Sequence, residues 1–221
     1  MGYTHYYYTV GTFDKKQFAQ VVKDFKKVVP IFDSMGIKLA GGSGEGNQKI
    51  TTTEICFNGD ANCGHEQRNL GITWPAKGAT GICQAYRKGE PEQVSTIVTM
   101  LSGEEETLAV NDSDVKGTFA GCMLNTRTCG GDCSHETFQL ILQMKPRKFD
   151  QKNDKGLHFN CTKTAYKPYD LAVIICLIIA KHHLGKDIEV HSDGDLPDWS
   201  DGMEICQRLL GYGKDFNLDK V

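Results

Sequence analysis

The sequence predicts an α+β domain: a mixed or antiparallel sheet with about three packed helices, interrupted by a loop-rich insertion. Two observations define the regular part. Short stretches rich in β-formers and bounded by turn residues lie towards both ends of the chain. Three segments carry helical apolar spacing or helix start and stop signals. A third observation defines the insertion: from about residue 67 to 127 both patterns fade and Gly, Thr, Ser and Glu take over. With 221 residues, 39% of them apolar, the chain can build one substantial core. It reads as a single domain, 1–221, with an inserted cysteine-bearing subregion at 67–134.

Tyr3 to Val10 reads as a strand. Alternation puts half of Tyr3, Tyr6, Tyr7 and Tyr8 in the core. Phe18, Val21, Val22, Phe25, Val28, Val29 and Phe32 then recur at helical spacing. Asp14 caps this helix, with Gln17 three residues on. Pro30 is expected to end or kink it, and Gly36 to close it. Ile37–Ala40 reads as a short strand, Gly41–Gly46 as a flexible hairpin tip, and Lys49–Phe57 as one strand ending in the Asn58-Gly59 turn signal. The Gly-rich tip lacks a following Gly-Lys-Ser/Thr and a helix, so it is not read as a phosphate loop.

Within the insertion Val94–Leu101 alternates weakly, and Glu104-Glu105-Glu106 reads as a solvated turn. Thr137–Met144 is a strand, followed by a polar linker to Gly156. Pro168-Tyr169-Asp170 opens a helix that runs to Leu184, apolar nearly all round and therefore buried. Lys181, His182 and His183 complement its negative end, and Gly185 closes it. Asp187–His191 is a strand. A last amphipathic helix starts near Pro197, uses Trp199, Met203, Cys206, Leu209 and Leu210, and stops at Gly211.

Composition excludes several function classes. The formal net charge of -3 gives no drive towards nucleic acid or anionic membranes, so neither is expected as a partner. The longest apolar run, Leu171–Ala180, falls short of the ~20 residues that span a bilayer. The first eight residues lack a signal-peptide pattern. An intracellular protein is expected.

A short signature occurs twice: Cys63-Gly64-His65-Glu66 and Cys133-Ser134-His135-Glu136. In an extended chain Cys and His two apart share a face, and two such pairs are how a zinc site can begin. The metal-ligand candidates are Cys63, His65, Cys129, Cys133 and His135, with Cys56 nearby. Structural zinc is the cofactor they imply; free thiols and hydrogen-bonded histidines are the alternative. Cys176 and Cys206 fall in helical apolar patterns and read as core thiols, and Cys161 as a buried thiol. His5, Glu136, Lys163 and Lys167 form a second candidate set, for a small anionic ligand or nucleotide near a helix N-terminus. No H-E-x-x-H, paired-aspartate or nucleophile-elbow motif is present, so no catalytic residue is assigned.

Met1-Gly2-Tyr3-Thr4-His5-Tyr6, Ile55-Cys56-Phe57-Asn58-Gly59, His135-Glu136-Thr137-Phe138, Cys161 with Lys163-Thr164, Lys167-Pro168-Tyr169-Asp170, Ser192-Asp193-Gly194, Trp199, Cys206-Gln207-Arg208 and Gly211-Tyr212-Gly213 together resemble a family of hypothetical proteins from phages, bacteria and large DNA viruses, Marseillevirus-like giant viruses among them. The resemblance covers roughly residues 1–66 and 135–221. It departs at the middle segment, where family members run almost directly from Phe-Asn-Gly to Glu-Thr-Phe. It implies a viral or phage-like origin and no activity. The functional expectation is a virus-encoded accessory protein acting through contacts with host or viral proteins, in the host cytoplasm or packaged in the virion. The alternatives are a small-ligand or nucleotide binder, a zinc-dependent hydrolase, and a structural virion component.

Overall fold

The computed structural model describes residues 2–34, 37–64, 72–73, 82–85, 94–99, 105–110, 119–123, 125, 127–129, 131–145 and 150–220, with backbone only for 34, 72–73, 82–85, 94–99, 105–110, 119–123 and 128. The elements are β1 (Thr4–Thr9), α1 (Lys15–Ser34), β2 (Leu39–Ala40), β3 (Lys49–Ile50), β4 (Glu54–Gly59), β5 (Ile72–Thr73), β6 (Ile82–Ala85), β7 (Val94–Thr99), β8 (Glu105–Val110), β9 (Phe119–Met123), β10 (Thr128–Cys129), β11 (Phe138–Ile141), β12 (His158–Lys163), α2 (Asp170–Leu184), β13 (Ile188–Ser192) and α3 (Ser200–Leu210). This is an α+β fold, and among the described residues every strand pair is antiparallel.

Two sheets form the frame, in the orders β12-β1-β13 and β11-β4-β2, with β3 also on β4. They join at the Glu136 N–H to Lys163 carbonyl bond of 3.2 Å and, at the far end, through Phe13 N–H to Leu142 and Met144 N–H to Gly11. Alternation holds on β1, where Tyr3 and Tyr7 are buried and Tyr6 and Tyr8 half-buried. Inside the insertion three two-stranded ladders form, β5–β10, β6–β9 and β7–β8.

The core centres on α2. Leu171 to Ala180 are all buried, because α2 is packed by α1, α3 and β13 together. A helix apolar on every side needs neighbours on every side. Helix α1 brings the stripe from Phe18 to Phe32 down onto the second sheet: Phe25 stacks on Phe57 at 5.4 Å, and Phe57 meets Phe138 at 5.1 Å. Asp14 caps α1 through its Oδ1, which accepts from Lys16 and Gln17 N–H. Gly185 and Gly211 close α2 and α3 with positive φ.

Several sequence expectations are corrected. Pro30 does not end α1, which continues to Ser34. Pro30 and Lys26, whose carbonyl loses its bond, both face water, while Phe32, two residues on, is buried and holds the last turn in place. Lys49–Phe57 is not one strand but the β3–β4 hairpin, turned at Thr51–Thr53 by the Thr51 hydroxyl. Asn58-Gly59 is not a turn, since both residues lie in β4. Gly41–Gly46 is an ordered turn, closed by Gly41 N–H to the Gly46 carbonyl. Glu105 and Glu106 begin β8. Strand β12 was not anticipated; its sequence, His-Phe-Asn-Cys-Thr-Lys, is too polar to signal a strand, and its pairing with β1 makes it one. Cys161 on β12 is exposed, not buried.

Helices α2 and α3 cross at Gly202, where a Cβ would lie 2.4 Å from Cγ2 of Ile174. Gly202→Val forces these helices apart and is expected to cost at least about 1–3 kcal/mol, read as a lower urea midpoint with an unchanged slope.

Candidate metal centre and the polar lock beside it

Three cysteines converge where the insertion leaves and rejoins the frame. Cys63 follows the turn after β4, fixed by Asp60 N–H to the Lys38 carbonyl, Ala61 N–H to the Gly44 carbonyl, and Asn62 N–H to Asp60 Oδ1. Cys129 ends β10, and Cys133 lies four residues on, past Gly131, whose φ of +91° makes the turn. Cys133 N–H binds the Asp60 carbonyl at 3.2 Å, so the two loops are stitched together. Gly59 is required here: a Cβ would sit 1.9 Å from the Cys133 carbonyl oxygen.

The result is a cluster of three buried thiols whose sulfurs all lie within 4.8 Å of one another. Cys63 Sγ is 3.5 Å from Cys129 Sγ, and Cys133 Sγ is 3.1 Å from Cys129 Sγ. Exposure is 3%, 0% and 2% for Cys63, Cys129 and Cys133. Burial pushes the Cys129 and Cys133 thiols up. Two lysines flank the loops: Lys38 Nζ donates to the Cys63 carbonyl at 3.2 Å, and Lys167 Nζ donates to the Asp132 carbonyl.

The donor set suits a thiophilic cation. Zinc at ~2.3 Å from each of three sulfurs of a tetrahedron sets them about 3.8 Å apart, somewhat wider than the 3.5 Å and 3.1 Å here. Of the sequence candidates, Cys63, Cys129 and Cys133 come together. His135 does not join them: its side chain is exposed, and its backbone is clamped by Asn58, which donates from Nδ2 to the His135 carbonyl and accepts its N–H on Oδ1, both at 3.0 Å. Cys56 lies within β4, outside the cluster. His65 lies outside the described residues.

Beside the thiols sits a buried ionic lock that the sequence reading missed. Arg127, 2% exposed, reaches between the first turns of two helices. Its Nε donates to Asp170 Oδ2 at 3.0 Å, and its Nη1 to Asp201 Oδ2 at 2.5 Å. His5 Nε2 meets Asp170 Oδ1 at 2.8 Å, and the Thr164 hydroxyl donates to the same oxygen at 2.5 Å. Asn125 adds its N–H to Asp201 Oδ2 and its amide to the Pro197 and Asp198 carbonyls. Burial alone would raise the Asp170 carboxyl, but His5, Arg127 and Thr164 outweigh it and hold the group down at about 2. An ionised Asp170 only accepts, so His5 Nε2 carries its hydrogen, and Nδ1 faces the Ser192 hydroxyl at 3.1 Å. The available signal was an acid in the first turn of each helix, Asp170 and Asp201; nothing in the sequence named their shared partner.

In the second candidate set Glu136 and Lys163 are neighbours, joined through the Lys163 backbone. His5 is sealed in the lock. Glu136 Oε2 accepts Lys163 N–H at 2.7 Å. Lys163 lies against Gly2, and Lys167 is turned to the Asp132 loop. The first N–H groups of α2 are engaged, Asp170 to the Lys167 carbonyl and Ala172 to the Tyr169 carbonyl, each at 2.9 Å. A groove of about 350 Å³ lined by Leu196, Pro197, Ser200, Met203, Glu204 and Lys214 involves none of these groups.

No family model, curated protein or solved structure matches this chain. None of the described helices is long and apolar enough to cross a membrane.

Removing Arg127 strands two buried carboxylates, so Arg127→Ala is expected to cost about 3–5 kcal/mol, measured by urea unfolding. Lysine cannot span both acids, so Arg127→Lys recovers only part of the loss. Asp170 gives a signed pH dependence. Its folded pKa of about 2 lies below the unfolded ~3.9, so its stabilisation is present above about pH 4 and is lost as pH falls through 2. The loss amounts to about 2–3 kcal/mol. Urea midpoints between pH 5 and 2 should fall accordingly, and less steeply in Asp170→Asn.

Proposed function

We propose that the protein is a non-catalytic scaffold in which a zinc ion clasps the base of the insertion, and that the insertion makes protein–protein contacts with host or viral components as a virus-encoded accessory protein. The observation that carries this reading is the convergence of Cys63, Cys129 and Cys133 from the two ends of the insertion into one buried sulfur cluster. Sulfur donors fit zinc, and a structural ion needs no open position. The two flanking lysines suit a centre whose thiolates outweigh a divalent charge. Bound zinc would join residue 63 to residues 129 and 133, fixing the base of the intervening chain, which has few helical or strand signals of its own.

A hydrolase reading finds less support. Its candidate acid–base group, Glu136, is held by the Lys163 backbone. The anionic-ligand reading needs free donors, and those of Lys167 and the first turn of α2 are already bound. Recovery of the protein at high abundance in purified particles would instead favour a structural virion role.

Protein purified under reducing conditions without added metal should carry about one zinc per chain by elemental analysis, and its thermal midpoint should fall on chelation. Cys63→Ser, Cys129→Ser and Cys133→Ser should each lose the metal, whereas Cys161→Ser and His135→Ala keep it. His65→Ala reports whether the histidine two residues after Cys63 completes the site. Because burial keeps the Cys129 and Cys133 thiols protonated, zinc must displace protons on binding. Affinity should therefore fall as pH drops, in competition titrations at pH 6 against pH 8. A reduced protein with neither zinc nor sensitivity to chelator would overturn the metal reading.

A further inference from the structure

The three sulfurs are not equivalent. Cys129 and Cys133 lie 3.1 Å apart, nearer than the 3.5 Å between Cys63 and Cys129, and they share one short loop turned by Gly131. A disulfide needs a sulfur separation of ~2.05 Å, so closing this pair takes about 1 Å of movement inside one turn. Cys63 stands 3.5 Å from Cys129 on a separate loop, anchored through Asp60 to Lys38 and Cys133. A Cys63–Cys129 bond would have to draw these stitched loops together.

We propose that the thiol centre is also a two-electron redox site, at which a peroxide oxidises Cys129 and Cys133 to a disulfide, expels the metal and opens the clasp. The inference rests on the metal reading above, because a bound cation holds these sulfurs as thiolates, the nucleophilic form. One thiolate attacks a peroxide oxygen, the O–O bond breaks, and the departing hydroxide takes a proton to become water. The resulting sulfenic sulfur is attacked by the second thiolate, and its oxygen leaves as a second water after protonation. In total, two thiolates, one hydrogen peroxide and two protons give one disulfide and two waters. Only Cys63 of the three remains a thiolate, too few donors to retain zinc. Residues 63 and 129 are then no longer joined through the metal, and the base of the insertion is left to the Cys133–Asp60 hydrogen bond and the Arg127 lock. Access is short: Gly131 is half-buried and Asp132 exposed, so a single turn of chain separates the sulfurs from water.

The test uses the full-length zinc-loaded protein carrying Cys161→Ser, which removes the exposed thiol among the described cysteines. Equimolar hydrogen peroxide is added, zinc release is followed with a chromophoric chelator, and disulfides are mapped by mass spectrometry without reduction. The expected result is about one zinc released per disulfide, a Cys129–Cys133 bond in the peptide map, and recovery of zinc binding after dithiothreitol. Retention of zinc while peroxide is consumed overturns the proposal. So does a disulfide between Cys63 and Cys129, or one confined to Cys83 and Cys122, which stand opposite each other in the β6–β9 register. Failure of the reduced protein to take up zinc at all is seen before peroxide is added, and rejects the metal reading together with this inference.

Discussion

A guanidinium cannot stay buried without carboxylates around it, and much of the arrangement near the insertion follows from that constraint on Arg127. The charge is always present, and the site is 2% exposed, so both Asp170 and Asp201 must stay where they are. Each belongs to the first turn of a helix, α2 or α3. The lock therefore sets the relative position of two helix starts and the chain that leaves the insertion. His5 ties β1 into the same group through Asp170. Helix starts favour acids for their own reason, the exposed N–H groups and the positive end of the dipole; here the same two acids also receive a buried cation.

The thiol centre lies two residues beyond Arg127, on the same run of chain. Between Asn125 and His135 the described residues are held at four points: hydrogen bonds from the Asn125 amide to the Pro197 and Asp198 carbonyls, the ionic lock, the sulfur cluster, then the Asn58 clamp. The polar lock is complete without any added group. The sulfur cluster could hold a cation, since three buried sulfurs close together gain little from one another and more from a thiophilic ion. The base of the insertion thus has one fastening that is complete in itself and, on the function proposed above, a second that depends on metal and redox state.

The frame has a simpler logic. An almost entirely apolar helix cannot lie on a surface, so α2 collects α1, α3 and β13 around itself. The two sheets need only supply one apolar face each. Their outer strands tolerate polar sequences, as β12 shows with exposed Cys161 and half-buried His158 and Asn160.

Sequence alone determined the elements whose signal is local and strong. The stripe from Phe18 to Phe32, the apolar run of α2 with its closing Gly185, and the alternation on β1 each state a periodicity that burial then satisfied. It also placed Cys63, Cys129 and Cys133 among its metal candidates, together with His65, His135 and Cys56, because clustered cysteines beside Gly-rich turns suggest a metal. Tertiary structure decided the rest. It made β12 a strand by pairing it with β1 and kept α1 helical past Pro30 by burying Phe32. It turned Asn58 from a turn residue into a clamp on His135. It separated His135 from the thiols it neighbours in sequence. It placed Arg127 between Asp170 and Asp201, partners 43 and 74 residues away. Pairings over such distances leave no periodic trace, since they depend on where the chain returns and not on what precedes it.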